Sequence, residues 1–162
     1  CAEDVAKGVA MQVAAMSPIA LNAASVPQDV KDTETKNAVE KAKQNQIAKA
    51  VEAALKKAGI NPAHVDSEDH IESNTAKGWI TPEDAAKARE IKATVAQEAE
   101  ANLKEQMIQN IANGMVAKFY KESCLLEQAY IDDNKISVAQ YLQNIDKELT
   151  VTDFKRFTLR AE

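Results

Sequence analysis

The strongest candidate for chemistry in this sequence is an acidic segment with a histidine on each side. His64 and His70 enclose three carboxylates, those of Asp66, Glu68 and Asp69. Imidazole nitrogens and carboxylate oxygens can bind zinc, but this spacing matches no common zinc pattern, such as two histidines four residues apart on a helix. We interpret these residues as a solvated loop with no metal, and keep a metal-dependent hydrolase as an alternative.

A nucleophilic cysteine is the second possibility. Cys124 lies in an apolar run without a histidine near it in sequence, and apolar surroundings raise rather than lower the pKa of a thiol. A packed core cysteine is therefore the better interpretation. The only other cysteine is Cys1, so there is no disulfide framework, which is typical of a reducing compartment.

Neither nucleotide hydrolysis nor general acid catalysis finds support in the sequence. Its four scattered glycines cannot form the glycine-rich loop that binds phosphates. The numerous carboxylates lie among lysines on predicted helices, where pairing on a solvated face is the ordinary explanation. We therefore predict no catalytic residue and no cofactor, and a protein that is not an enzyme.

Charge and hydropathy restrict the possible partners. The formal net charge of −5 at pH 7 argues against direct nucleic-acid binding, which needs a clustered surplus of Lys and Arg. No apolar run approaches the roughly 20 residues that cross a bilayer, so we expect no membrane association and a cytoplasmic protein. Because the sequence opens on Cys1 rather than Met, we also expect that upstream residues are absent.

Helical patterns dominate the chain, and aromatic residues make up only 4% of it. The first helix is predicted over residues 3–16, where Val5, Val9 and Val13 form one apolar face. Gly8 weakens this helix by roughly 1 kcal/mol relative to Ala, and we expect it to mark a close approach by another backbone.

A second, longer helix is predicted from Gln28 to Ala58. Ser25 is the expected N-cap, with Gln28 in the reciprocal position of a capping box, and Gly59 is the expected C-terminal stop. The helix carries only a thin apolar stripe, made of Val30, Val39, Ile47, Val51, Ala54, Leu55 and Ala58.

A connector with at most one short helix should follow, and Thr81-Pro82 signals the start of a third helix that runs toward Asn102. Helices two and three can then fold back as an antiparallel, coiled-coil-like hairpin over residues 28–101. Thin apolar stripes of this kind are often completed by a partner, so we predict a possible homodimer through the hairpin. A solvated hairpin that rests on its own domain is the alternative.

The remaining residues, 1–27 and 102–162, are predicted to form the core subdomain. Helical pattern resumes through Phe119, a short capped helix is expected from Ser137, and residues 151–159 alternate like a terminal strand. The fold class is therefore α+β, mostly α, with a long antiparallel helical hairpin and a small antiparallel sheet.

Several motifs resemble the carboxy-terminal core subdomain of the elongation factor Ts family. Residues 107–138 resemble the carboxy-terminal part of the family, and within them residues 118–128 are similar to the return from its hairpin. Residues 9–18 are similar to its first core helix in this region, residues 26–30 to the entry into its hairpin, and residues 154–157 to its closing strand. Gln12 is a departure, because the family often has His there.

The resemblance implies a guanine-nucleotide exchange factor that promotes GDP release from elongation factor Tu, a translational GTPase. Tyr130, Ile131 and Asp132 are the candidate partner-binding residues, because an exposed aromatic side chain beside an acid can anchor an interface. A Tyr130 that packs on its own domain is the alternative.

In the family, the residues required for exchange lie in an amino-terminal region that residues 1–162 do not contain. We therefore expect this chain to be the partner-binding and dimerisation half of the exchange factor. Thr152-Asp153-Phe154 mimics the family's Thr-Asp-Phe-Val exchange motif, but we interpret it as a coincidence, because it lies in the predicted terminal strand. The alternative function is a structural helical-hairpin oligomerisation module without exchange activity.

Overall fold

The computed structural model describes residues 1–160, which form six α-helices and one small sheet. This confirms the predicted fold class as mostly α with a small antiparallel sheet. Two short 3-10 turns, Ala23–Ser25 and Pro62–His64, lie between helices. The helices are α1 (Ala2–Met16), α2 (Gln28–Lys57), α3 (Glu68–Ala76), α4 (Pro82–Ala101), α5 (Glu105–Ser123) and α6 (Val138–Ile145), and the strands are β1 (Ala129–Tyr130) and β2 (Asp133–Ser137).

Most helix boundaries follow the local signals in the sequence. The Thr81 side chain accepts a hydrogen bond from the Asp84 N–H at 3.1 Å at the start of α4. Ser137 and Gln140 form the reciprocal capping box that begins α6. Gly59 follows the end of α2 with a φ of 78°, a left-handed conformation that glycine adopts without strain.

The predicted N-cap of α2 is wrong. Ser25 belongs to a 3-10 turn instead, and both its N–H and its hydroxyl donate to the Asn22 carboxamide oxygen. The Gln28 side chain donates to Asp32 at 2.8 Å, one turn further along α2. Asn22 caps this 3-10 turn, and because α2 begins at Gln28, three residues after Ser25, the Ser25 hydroxyl does not lie at the N-cap position of α2.

The chain forms two compact units. Unit 1 contains residues 1–36 and the described residues from Asn113 onward, and unit 2 contains residues 37–112. These bounds do not test whether residues 28–101 act as a dimerisation module, which stays a prediction.

In unit 1, the segment after α1 runs beside the segment after α5. The Leu125 N–H donates to the Ala20 carbonyl at 2.8 Å, and Ala20 and Cys124 form a parallel bridge. The larger core cluster of this unit is made of Val9, Val13, Leu125, Tyr130, Val138 and Leu142, and a smaller one of Ala20, Val26 and Cys124.

The core of unit 2 lies where α2 ends and α4 begins. Its buried residues are Leu55, Ile60, Val65, Ile71, Ile80, Ala85 and Ala88. The connector between these helices holds one short helix, α3, as predicted. Polar contacts also fix the connector, since Asn74 donates to the His64 carbonyl and Lys92 donates to the Val65 carbonyl.

The predicted terminal strand is wrong. Residues 151–158 have no strand pairing, and the described sheet consists of β1 and β2 alone. Val151 and Phe154, which strand alternation places on opposite faces, both pack against the core of unit 1. Phe157 is 89% exposed. Alternation does not produce a strand here, because a strand needs a partner for its backbone groups.

No helix within residues 1–160 combines the length and apolar character needed to span a bilayer.

A substitution can test whether unit 2 has a core of its own. Ile71→Ala empties a fully buried site in α3, and such truncations cost about 2–5 kcal/mol of stability. We expect faster amide hydrogen exchange across residues 37–112. Glu72→Ala, an exposed neighbour on the same helix, should change stability by less than about 0.5 kcal/mol. Equal effects of the two variants would contradict this packing.

Candidate partner-binding turn

The three residues predicted to contact a partner lie at the turn between β1 and β2. Tyr130 pairs with Asp133 across the hairpin, so Ile131 and Asp132 form the turn itself. Asp132 is exposed, and Ile131 is half-buried against the core of unit 1. We call Tyr130, Ile131 and Asp132 the presented turn.

Tyr130 is not the exposed aromatic residue that the sequence suggested. It is only 6% exposed, and its ring stacks on Tyr141 of α6, with centroids 4.0 Å apart and planes 10° apart. The alternative, in which Tyr130 packs on its own domain, is the observed one. The surface that the presented turn offers therefore comes from Asp132 and the outer part of Ile131.

The Tyr130 hydroxyl is held as a donor. It donates to the Asp132 carboxylate at 3.3 Å. Burial, the Tyr141 hydroxyl and the Asp132 charge together raise the pKa of Tyr130 to about 12, because each disfavours a phenolate. The hydroxyl keeps its proton at neutral pH and orients the carboxylate that the turn exposes.

A buried glutamine on α1 holds the presented turn in place. Gln12 is 0% exposed. Its side-chain nitrogen donates to the Ala129 carbonyl at 3.0 Å and to the Gln128 side-chain oxygen at 3.2 Å. Its side-chain oxygen accepts from the Ile131 N–H at 2.8 Å. One amide therefore binds the backbone on both sides of Tyr130.

Gln128 extends this network to two helix ends. Its side-chain nitrogen donates to the Glu122 carbonyl at 2.9 Å and to the Met16 carbonyl at 3.4 Å, carbonyls that lie near the C-termini of α5 and α1 and lack helical partners there. Within residues 1–160, no buried side-chain polar atom lacks a hydrogen-bond partner, as buried polar groups require.

Sequence reasoning did not assign a structural role to either glutamine. One signal was available for Gln12, because it lies between Val9 and Val13 on the buried face of α1. A polar residue on an apolar helix face must find a buried partner. Which partner it finds depends on tertiary contacts.

Gly8 makes room for the Tyr130 hydroxyl. A Cβ at this position would lie 2.8 Å from Tyr130 Oη, closer than van der Waals contact allows. The predicted close approach therefore exists, but a side chain makes it and not a second backbone.

The histidine segment lies in unit 2 and is solvent-exposed in part. The His70 ring contacts the Asp66 carboxylate, and this hydrogen bond lowers the pKa of Asp66. His64 lies beside the exposed Trp79 ring, with centroids 5.9 Å apart. Among residues 1–160, no group of three or more His, Cys, Asp or Glu side chains is placed to hold a metal ion.

Cys124 is a packed core cysteine, as predicted. It is 0% exposed, and both cysteines are free thiols. Burial is the largest cause, and the neighbouring Glu127 the next, of a rise in the pKa of the Cys124 thiol to about 11. A thiol in this state is a poor nucleophile at neutral pH.

Comparisons with known proteins cover almost the whole chain. The family model described as Elongation factor TS matches residues 1–161. The chain is 65% identical to an elongation factor Ts of Bacteroides fragilis over 99% of its own length and 48% of the relative. It is 62% identical to one of Phocaeicola vulgatus, over 99% of this chain and 49% of that protein. The chain thus spans about half the length of these relatives. No solved structure matches it.

The contact between Gly8 and Tyr130 predicts that the effect of Gly8→Ala on stability changes sign when the tyrosine hydroxyl is removed. Gly8→Ala should gain about 1 kcal/mol of helix propensity but lose about 1–3 kcal/mol by overpacking against the tyrosine hydroxyl, so we expect a less stable protein in urea denaturation. In a Tyr130→Phe background the nearest ring carbon lies 3.9 Å away, and Gly8→Ala should become stabilising. Destabilisation in both backgrounds would contradict this contact.

Burial of Cys124 predicts selective alkylation. At pH 8, iodoacetamide should modify the exposed Cys1 in the folded protein and leave Cys124 intact, whereas both should react in denaturant. Modification of both cysteines in the folded state at similar rates would contradict the burial.

The same thiol predicts a pH dependence of stability. The folded pKa of Cys124 lies near 11, above the ordinary 9.0, so the unfolded chain loses its proton first as the pH rises. The buried Cys124 thiol therefore contributes its full stabilisation of the folded state below pH 9, and this contribution is lost as the pH rises toward 11. We expect the free energy of unfolding to fall more steeply in this window than it does in Cys124→Ala.

Proposed function

Because the chain belongs to the elongation factor Ts family, we propose that it acts in guanine-nucleotide exchange, binding elongation factor Tu and promoting release of GDP. The observation that carries this proposal is the family match over residues 1–161. The chain spans about half the length of these relatives, and because its motifs resemble the family's carboxy-terminal core subdomain, we propose that it is the partner-binding half of the exchange factor.

The presented turn is the proposed contact with the GTPase. It offers the Asp132 carboxylate and the outer part of Ile131, while Tyr130 anchors the turn from inside. An ordered turn loses little conformational entropy on binding, so more of the contact energy contributes to affinity. All three predicted residues therefore keep a proposed role, with Tyr130 as the support and the other two as the surface.

Exchange of this kind requires no bond chemistry in the exchange factor. It requires tighter binding to the nucleotide-free GTPase than to the GDP-bound state, because linkage then makes the exchange factor and GDP weaken each other's binding. We accordingly propose a regulator that is not an enzyme, has no cofactor and works in the cytoplasm.

Self-association through the helical hairpin is a second proposed property. Trp79, in the connector within residues 28–101, is 64% exposed. Tryptophan is enriched among the residues that contribute most to protein interfaces, and this exposed ring supports the proposal. The alternative function, an oligomerisation module without exchange activity, rests on the same residues.

The test is release of a fluorescent GDP from elongation factor Tu, measured beside direct binding of the same pair. We expect the chain to bind, and Asp132→Ala to weaken binding about tenfold, as loss of one interface anchor typically does. Glu100→Ala removes an exposed carboxylate from α4 and should leave binding unchanged.

The outcomes separate the proposals. Accelerated GDP release supports exchange by this chain, and binding without acceleration restricts it to the partner-binding role. Absence of binding overturns the proposed function. Absence of binding together with dimers in sedimentation velocity favours the oligomerisation module.

A further inference from the structure

The presented turn has a weak scaffold of its own. Strand β1 has two residues, and the register of its pairing with β2 shifts between Ala129 and Tyr130. An isolated two-stranded hairpin is marginally stable in water. Its strand pairing therefore does not by itself fix the backbone between Ala129 and Asp132.

Gln12 supplies the missing constraint from a different part of the chain. Its nitrogen binds the Ala129 carbonyl and its oxygen binds the Ile131 N–H, so the peptide groups before and after Tyr130 are both fixed to α1. Because α1 is a regular helix of 15 residues, these hydrogen bonds attach the turn to a rigid element.

We propose that Gln12 is a positioning residue that sets the conformation in which Ile131 and Asp132 meet the GTPase. The inference rests on the proposed function of the turn. Gln12 itself is fully buried, so it acts on the partner only through the backbone that it holds.

The chemistry of the site requires a side chain with both a donor and an acceptor, and a carboxamide supplies both. Gln12→Met keeps length and volume but leaves the Ile131 N–H and the Ala129 carbonyl without their partner. Gln12→Glu retains the acceptor but places a carboxylate beside two acceptor oxygens, those of Ala129 and Gln128. Methionine is therefore the cleaner substitution.

The first readout is amide hydrogen exchange in the unbound protein. In Gln12→Met we expect the Ile131 amide to exchange at least about tenfold faster than in the wild type, because its hydrogen bond is lost. Val13→Ala is the matched control: it is the next residue on α1, is buried, and contributes apolar packing to the same unit. In Val13→Ala, the exchange of the Ile131 amide should not become faster than that of the other amides in unit 1.

The second readout is a double-mutant cycle on binding to elongation factor Tu. Gln12→Met should weaken binding about tenfold, and adding Asp132→Ala should then cost less than about threefold, because a displaced turn no longer uses this carboxylate. In the Val13→Ala background, Asp132→Ala should keep its full effect.

Gln12 is not a positioning residue if Ile131 stays protected in Gln12→Met. Additive effects of Gln12→Met and Asp132→Ala on binding would also overturn the inference. A wild-type chain that does not bind elongation factor Tu refutes the proposed function. In that case Ile131 exchange alone decides whether Gln12 fixes the turn, so the two failures are distinguishable.

Discussion

Unit 1 depends on the burial of two side-chain amides. A buried carboxamide without partners would cost several kcal/mol, about 2–7 by transfer estimates, so Gln12 and Gln128 are tolerated only where each donor and acceptor is matched. The matching partners are backbone groups at the ends of α1 and α5 and on both sides of Tyr130. The requirement to satisfy these amides therefore fixes how the helix ends and the turn meet.

The apolar contacts of unit 1 act together with this network. Tyr130 fills the space between α1 and α6, with its ring on Tyr141 and its hydroxyl over Gly8. The aromatic residue is thus used for internal support, and the carboxylate beside it is left at the surface. Burial of the ring and exposure of Asp132 are two consequences of one turn conformation.

Unit 2 is built differently. Its core is a small cluster of aliphatic side chains at the end of α2, which includes Ala85 and Ala88 of α4. Its connector is fixed by caps and side-chain contacts to backbone, including those of Asn74 and Lys92. Capping signals are local, so the start of α4 at Pro82 could be predicted from Thr81-Pro82, whereas for the connector the prediction was only that it holds at most one short helix.

Local rules failed where long-range contacts decided the outcome. Alternation over residues 151–159 predicted a strand, but Val151 and Phe154 pack on one core and no described strand lies beside them. The predicted Ser25 cap failed for a local reason instead, because Asn22 caps a 3-10 turn over Ala23–Ser25 and α2 begins only at Gln28. Tyr130 could be placed on a turn, but whether it faced solvent could not be read from its neighbours.

The sequence by itself determined the helices, most of their ends, the absence of a nucleotide-binding glycine loop and the family to which the chain belongs. These follow from periodicity, capping chemistry and motifs that each lie within short stretches. Only the tertiary structure decided which polar residues hold the presented turn, because Gln12 and Gln128 are 116 residues apart. Their hydrogen bonds depend on the packing of α1 against the turn, and no pattern within a short stretch of sequence specifies a contact between residues so far apart in the chain.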